Sequence, residues 1–148
     1  MHPSGQFRGQ IHASCVARDG AGVLLLGPSG SGKSDLALRL IDRGFSLVAD
    51  DRVEIEGGIA RPPAGLAGLL EVRGLGIMRV PYAREARLAL AVELSSNQER
   101  LPAPARDEHY GLAVIRLEAA AASATARVAL ALDCVLGRVG QVAGAFAA

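Results

Sequence analysis

Apolar and polar positions along this chain change period several times, and each change marks an element. Ile11 to Ala17 is an apolar-rich run that predicts a strand. Asp19-Gly20 followed by Gly22 supplies the positive φ values of a tight reversal before a second run, Val23 to Leu26. From about Gly32 to Arg43 the period lengthens: Leu36, Ala37, Leu40 and Ile41 form an apolar face at helical spacing, with Asp35 in the first turn, Arg39 and Arg43 in the last, and Gly44 as a C′ residue. Phe45 to Ala49 is again a short apolar strand, ending in Asp50-Asp51. Arg52 to Arg61 alternates around Gly57-Gly58 as a second hairpin, closed by Pro62-Pro63.

The second half is less regular. Gly65 to Gly68 predicts a flexible approach to Leu69 through Ile77, an apolar segment holding Glu71 and Arg73, with glycines that permit close backbone approach. Arg87 to Leu94 alternates as a strand, Ser95 to Gly111 is a long polar loop with Pro102 and Pro104, and Leu112 to Leu117 is a further strand. Ala119 to Arg138 predicts a helix, with Val128, Leu132 and Val135 on one face. Within it, Val128 to Asp133 also resembles a strand ending in an acid. Alanine-rich flanks and the lack of turn signals before Gly137 favour helix. Gln141 to Ala148 carries no firm pattern.

Between the second strand and the first helix lies Gly27-Pro28-Ser29-Gly30-Ser31-Gly32-Lys33-Ser34, a G-x-x-x-x-G-K-[ST] loop placed where a strand hands over to a helix. Its backbone N–H groups form a nest for phosphate oxygens, and the helix N-terminus favours the same anion. Lys33 would reach the β- and γ-phosphates of ATP, and Ser34 would hold Mg²⁺. Composition sharpens this: of the 16 basic residues Lys33 is the single lysine, every other one being arginine. Beside such a loop, Asp50 and Asp51 at a strand end become candidates to hold the metal or to take a proton from a nucleophile; read alone, they would be a solvated loop pair.

Composition also narrows the classes. At 148 residues and 50% hydrophobic content, one domain spanning 1–148 with a real core is expected. With 3% aromatics that core must be aliphatic, as in a buried α/β sheet. A net charge of +1 and no basic block give no footprint for nucleic acid, and no apolar run is long enough for a membrane span, so a cytoplasmic protein is expected. Cys15 and Cys134 stand far apart, which favours buried reduced thiols over a disulfide or metal site. His109 reads as a surface residue, and His12, taken alone, as a buried structural histidine.

Three separated blocks resemble the catalytic domain of HPr kinase/phosphorylase, the P-loop kinase of bacterial phosphotransferase systems. His12 precedes Lys33 at the family's spacing, Leu47-Val48-Ala49-Asp50-Asp51 is similar to its acidic strand end, and Leu70-Glu71-Val72-Arg73-Gly74-Leu75-Gly76-Ile77 is similar to its signature. Glu99-Arg100-Leu101 resembles, more briefly, the segment with the family's active-site arginine. The resemblance implies an α/β P-loop kinase domain: a mixed central sheet, a hairpin before the loop, and helices packed on the sheet. It implies Asp51 as the base toward a serine hydroxyl, Asp50 in support, Lys33 on the transferred group, His12 near the phosphates, Arg100 in the site, and Ser34 and Glu71 as Mg²⁺ ligands.

The implied activity is ATP-dependent phosphorylation of a serine on an HPr-like phosphocarrier protein. The chain looks like a short form without the N-terminal regulatory domain of long members. Val114-Ile115-Arg116-Leu117-Glu118 does not match their C-terminal phosphorolysis motif, so phosphorolysis is expected to be weak. Assembly into a homo-oligomer stays open. Two other functions stay open beside it, a small-molecule P-loop kinase and a nucleotide-responsive regulatory binding module.

Overall fold

The computed structural model describes residues 7–147. Its strands are β1 (Arg8–Ile11), β2 (Ser14–Arg18), β3 (Ala21–Leu26), β4 (Ser46–Ala49), β5 (Val53–Glu56), β6 (Ile59–Arg61), β7 (Leu69–Val72), β8 (Gly76–Arg79), β9 (Ala86–Leu94) and β10 (Ala113–Leu117). Its helices are α1 (Lys33–Asp42) and α2 (Ala124–Val135).

Among the described residues, eight strands make one mixed sheet in the order β1-β5-β6-β9-β3-β2-β4, with β10 joined to β9. The sheet branches at β9, which meets β6 antiparallel at its start, through Ala86 and Arg87, and β10 parallel along Leu90 to Leu94. Its other edge runs parallel to β3. Because β2 is antiparallel to both β3 and β4, those two strands run the same way as β9 and β10. Four strands therefore point their carboxyl ends at one edge of the sheet, the edge where ligands of open α/β sheets bind. The start of β2 arrives at the same edge.

Alternation within the strands divides the apolar core in two. Val16, Val23, Leu25, Leu90 and Val92 face α1 and α2, meeting Leu36, Leu40, Val128 and Leu132. Cys15, Ala17, Leu24, Val48 and Ala91 face the other way, where Val53, Ile55, Leu112 and Val114 complete a second cluster. Both faces being covered explains why the central strands read as nearly continuous apolar runs. Leu36 and Leu40 are fully buried; cutting either to alanine costs about 2–5 kcal/mol.

The predicted helices and the two predicted hairpins form, with three differences elsewhere in the chain or at element ends. The single strand expected over Ile11 to Ala17 is two: β1 pairs with β5, β2 with β3 and β4, and the chain changes partner at His12-Ala13. The apolar segment Leu69 to Ile77, expected to be reached through a flexible Gly65 to Gly68, forms most of a β7–β8 hairpin that stands as its own two-stranded ribbon. Its glycines Gly74 (φ 86) and Gly76 (φ 122) serve the turn, and a side chain on either would meet nothing within 4 Å. The second helix is shorter than Ala119 to Arg138, because the chain turns through Ala121 to Ala124 before the helix starts.

The Val128 to Asp133 segment is helical, and its acid is engaged elsewhere. Arg18 Nη2 on β2 donates to Asp133 Oδ1 at 2.5 Å, and the same guanidinium lies 5.0 Å from the Phe45 ring centroid. Cys15 is buried and Cys134 half-buried, both as free thiols. No helix among the described residues is long and apolar enough to cross a membrane.

Candidate active site

Helix α1 opens on Gly32, with no side-chain cap on its first N–H groups. Those groups are normally satisfied by a cap, water or a ligand, and here they face the phosphate loop. A cleft of about 530 Å³ lies in front of them, lined by Ser29, Gly30, Gly32, Lys33 and Ser34 and, from other elements, by His12, Asp51, Glu71 and Arg73 among others.

Lys33 begins α1 and is 7% exposed. Its ammonium folds back on the loop, donating to Gly27 O at 2.5 Å and Pro28 O at 3.0 Å. Burial lowers its pKa from the usual 10.5, while Asp51 and Asp50 pull the other way. It is a cation held half-desolvated over the loop, ready to exchange carbonyl partners for phosphate oxygens.

Asp50 and Asp51 follow the end of β4 and make different side-chain contacts. Asp50 Oδ1 accepts from Ser34 Oγ and from Ser14 Oγ, both at 2.7 Å, and Asp50 Oδ2 accepts from the Glu71 N–H at 3.2 Å. Its carboxylate thus ties the first turn of α1, the start of β2 and the β7 strand together. Asp51 has φ 70, a strained value for a non-glycine residue. This turns its side chain into the cleft, where Oδ1 lies 2.5 Å from His12 Nε2. His12 occupies the break between β1 and β2 and is 43% exposed at its side chain, so it is not the buried structural histidine its neighbours suggest.

Of the residues singled out in the sequence, His12, Lys33, Ser34, Asp51 and Glu71 line one cleft, and Asp50 sits directly behind them. Arg100 is not brought to this group. It lies in a separate groove of about 230 Å³ between the loop after β9, α2 and residues 141–146. The arginine in the cleft is Arg73, at the β7–β8 turn. Two contributors carried no assignment in the sequence, Arg73 and Ser14. Arg73 stood inside the signature block, whereas nothing in the local pattern sets Ser14 apart from an ordinary strand residue.

A magnesium ion would suit these donors. Ser34 and Glu71 offer hard oxygen ligands, both tethered to Asp50, and Mg²⁺ characteristically takes one or two protein oxygens and completes its shell with phosphates and water. Among the described residues no group of three or more His, Cys, Asp or Glu side chains is gathered to hold a metal alone.

A phosphate loop between a buried strand and a helix, with acids at the next parallel strand end, defines an α/β protein built for phosphoryl groups. The family model described as HPr Serine kinase C-terminal domain matches residues 6–102, and the chain belongs to that family. Over 76 aligned positions, covering 49% of this chain, the sequence is 53% identical to the HPr kinase/phosphorylase of Clostridium tetani, and the match spans 25% of that protein's length. The fold is similar to the solved structure of the Hpr(Ser) kinase/phosphatase from Coxiella burnetii, with a TM-score of 0.67 at 23% identity over 84% of this chain and 87% of that one.

Proposed function

We propose that the chain is an ATP- and Mg²⁺-dependent protein-serine kinase, acting in the cytoplasm on an HPr-like phosphocarrier protein. One observation carries this reading: Asp51, held by strained backbone and by His12, lines the same cleft as the phosphate loop and Lys33. A base so placed can address a nucleophile coming from solvent in line with a γ-phosphoryl group on the loop.

In the proposed reaction the loop N–H groups and Lys33 bind the nucleotide phosphates, with Arg73 close enough in the cleft to meet charge on the moving group. Asp51 takes the proton from the carrier's serine hydroxyl as its oxygen bonds to the γ-phosphorus. The bond from that phosphorus to the β–γ bridging oxygen breaks, and its electron pair leaves on ADP. His12 fixes the carboxylate and can pass the proton outward. The Mg²⁺ held by Ser34 and Glu71 would supply charge neutralisation on the phosphates.

In reverse, inorganic phosphate would take the γ position and attack the carrier's phosphoserine, giving pyrophosphate, with protonated Asp51 donating to the departing serine oxygen. The same groups serve both directions, but Arg116 on β10 stands alone where long members of the family carry a richer arginine motif, and it is paired with Glu93; we therefore expect phosphorolysis slower than transfer.

Purified protein, ATP labelled on its γ-phosphate, Mg²⁺ and an HPr-type carrier test the reading. Label on a carrier serine supports it. Label on a metabolite points to a small-molecule kinase, and tight nucleotide binding without transfer to a binding module. Serine-phosphorylated carrier with phosphate and no ATP tests the reverse direction, where pyrophosphate release as fast as forward transfer would contradict the expected ratio.

A further inference from the structure

Strand β2 alternates strictly about the sheet. Ala13, Cys15 and Ala17 belong to the cluster on one face, and Val16 to the cluster beneath α1 and α2 on the other. By that register Ser14 occupies a core-facing position on the α1 side, opposite Leu25 of β3. It is 0% exposed, the most buried of the buried polar residues Ser14, Lys33 and Thr125. A hydroxyl there is expensive unless bonded, and a small apolar side chain would serve packing alone at least as well. The chain spends it on Asp50, to whose Oδ1 the Ser14 hydroxyl donates at 2.7 Å, beside the equal donation from Ser34.

Two hydroxyl donors fill the two lone pairs of that oxygen. With Oδ1 saturated, Asp50 has no lone pair there to offer a cation. Since the Ser34 hydrogen is committed to Asp50, the lone pairs of Ser34 Oγ are left for the cleft. The Asp51 N–H makes a long contact of 3.4 Å to the same Ser14 oxygen, so one buried hydroxyl touches both acids. We infer that Ser14 is a positioning residue: by fixing the Asp50 carboxylate it aims Ser34 at the magnesium that accompanies the nucleotide. This rests on the Mg-nucleotide part of the function proposed above, and not on the identity of the phosphoryl acceptor.

The test measures binding rather than turnover. ATP affinity without metal, and the Mg²⁺ concentration that half-saturates the ATP-bound protein, are read by calorimetry for wild type, Ser14→Ala and Ser14→Cys, with folding checked by circular dichroism. The cysteine variant keeps the volume and weakens the donor, so it carries the test if the alanine variant fails to fold. The expected result is metal-free ATP affinity within about twofold of wild type and a Mg²⁺ requirement raised about 10–100-fold, the usual effect of losing a group behind a metal ligand. An unchanged Mg²⁺ requirement in a folded variant, with wild type metal-dependent, would overturn the inference alone. So would equal losses in metal-free and metal-dependent binding, which mark general loosening. A wild type whose ATP binding ignores Mg²⁺ would overturn the nucleotide reading, and the role of Ser14 with it.

Discussion

Gly32 is packed against Ala119: a Cβ placed on this glycine would stand 2.9 Å from the Ala119 Cβ. Arg39 of α1 also donates to the Ala119 carbonyl, so the turn before α2 braces both the end of the phosphate loop and the helix that follows it. Gly32 itself has φ 97, a conformation other residues adopt at a cost. We predict that Gly32→Ala destabilises the fold by about 1–3 kcal/mol in urea titrations and weakens nucleotide binding. Adding Ala119→Gly removes the clash and leaves the φ strain, so the double variant should recover part of the stability.

Lys33→Ala and Asp51→Asn are expected to fail differently. In the proposed reaction Lys33 meets phosphates in the ground state and the transition state alike, so its loss should weaken nucleotide affinity together with turnover. Asp51→Asn keeps the shape and removes the proposed base. Nucleotide binding should survive while transfer falls by on the order of 10²–10⁴-fold. Retention of wild-type turnover at saturating ATP and carrier would remove Asp51 from that role.

The two arginines make a sharper contrast. Arg73 lines the phosphate cleft, whereas Arg100 lines the groove beside α2. Arg73→Ala should lower kcat/KM by about 10²-fold, in keeping with the loss of a charge-stabilising donor. Arg100→Ala, a surface change, should stay within about twofold. The reverse order in steady-state assays would show that the loop after β9 reaches the cleft during turnover.

What the sequence revealed and what it hid follow from the range of the forces involved. The phosphate loop, α1 and the β5–β6 hairpin are local: periodicity, a glycine pattern and turn residues specify them without reference to the rest of the chain. The β7–β8 hairpin was missed although Gly74 stood between two short apolar runs, because its longer turn is a weaker signal than the tight Gly57-Gly58 turn. The change of partner at His12-Ala13 has no local signal, since β1 and β2 differ only in which distant strands they join. Arg73 stands in an apolar segment and Arg100 in a polar loop; neither pattern marks a phosphate site, and only the path of the chain decides which enters the cleft. Ser14 is a neutral member of an apolar strand until Asp50 is placed beside it.

The thiols give a check on the core under the site. Cys15 is fully buried, and desolvation pushes its pKa up to about 12, so it stays uncharged through the neutral range and lacks the reactive thiolate. Cys134, half-buried beside the α2 groove, is reachable. An aqueous thiol reagent at neutral pH should label Cys134 in the native protein and Cys15 only on unfolding. Mg-ATP should slow the second reaction through its stabilisation of the folded state.

Strand β4 ends the sheet, with β2 on one side and on the other little more than the Leu47–Tyr82 bridge and the Ala83 N–H to Leu47 O hydrogen bond. The proposed base follows the edge seam of the sheet, β4 on β2, while the phosphate loop grows from β3 in the middle. Fraying of that seam on heating would part Asp51 from His12 and leave β3, β9 and the loop intact. Heat should therefore silence transfer several degrees before it releases nucleotide or melts the helices, and the chain would pass through a state that still holds ATP but has lost the means to use it.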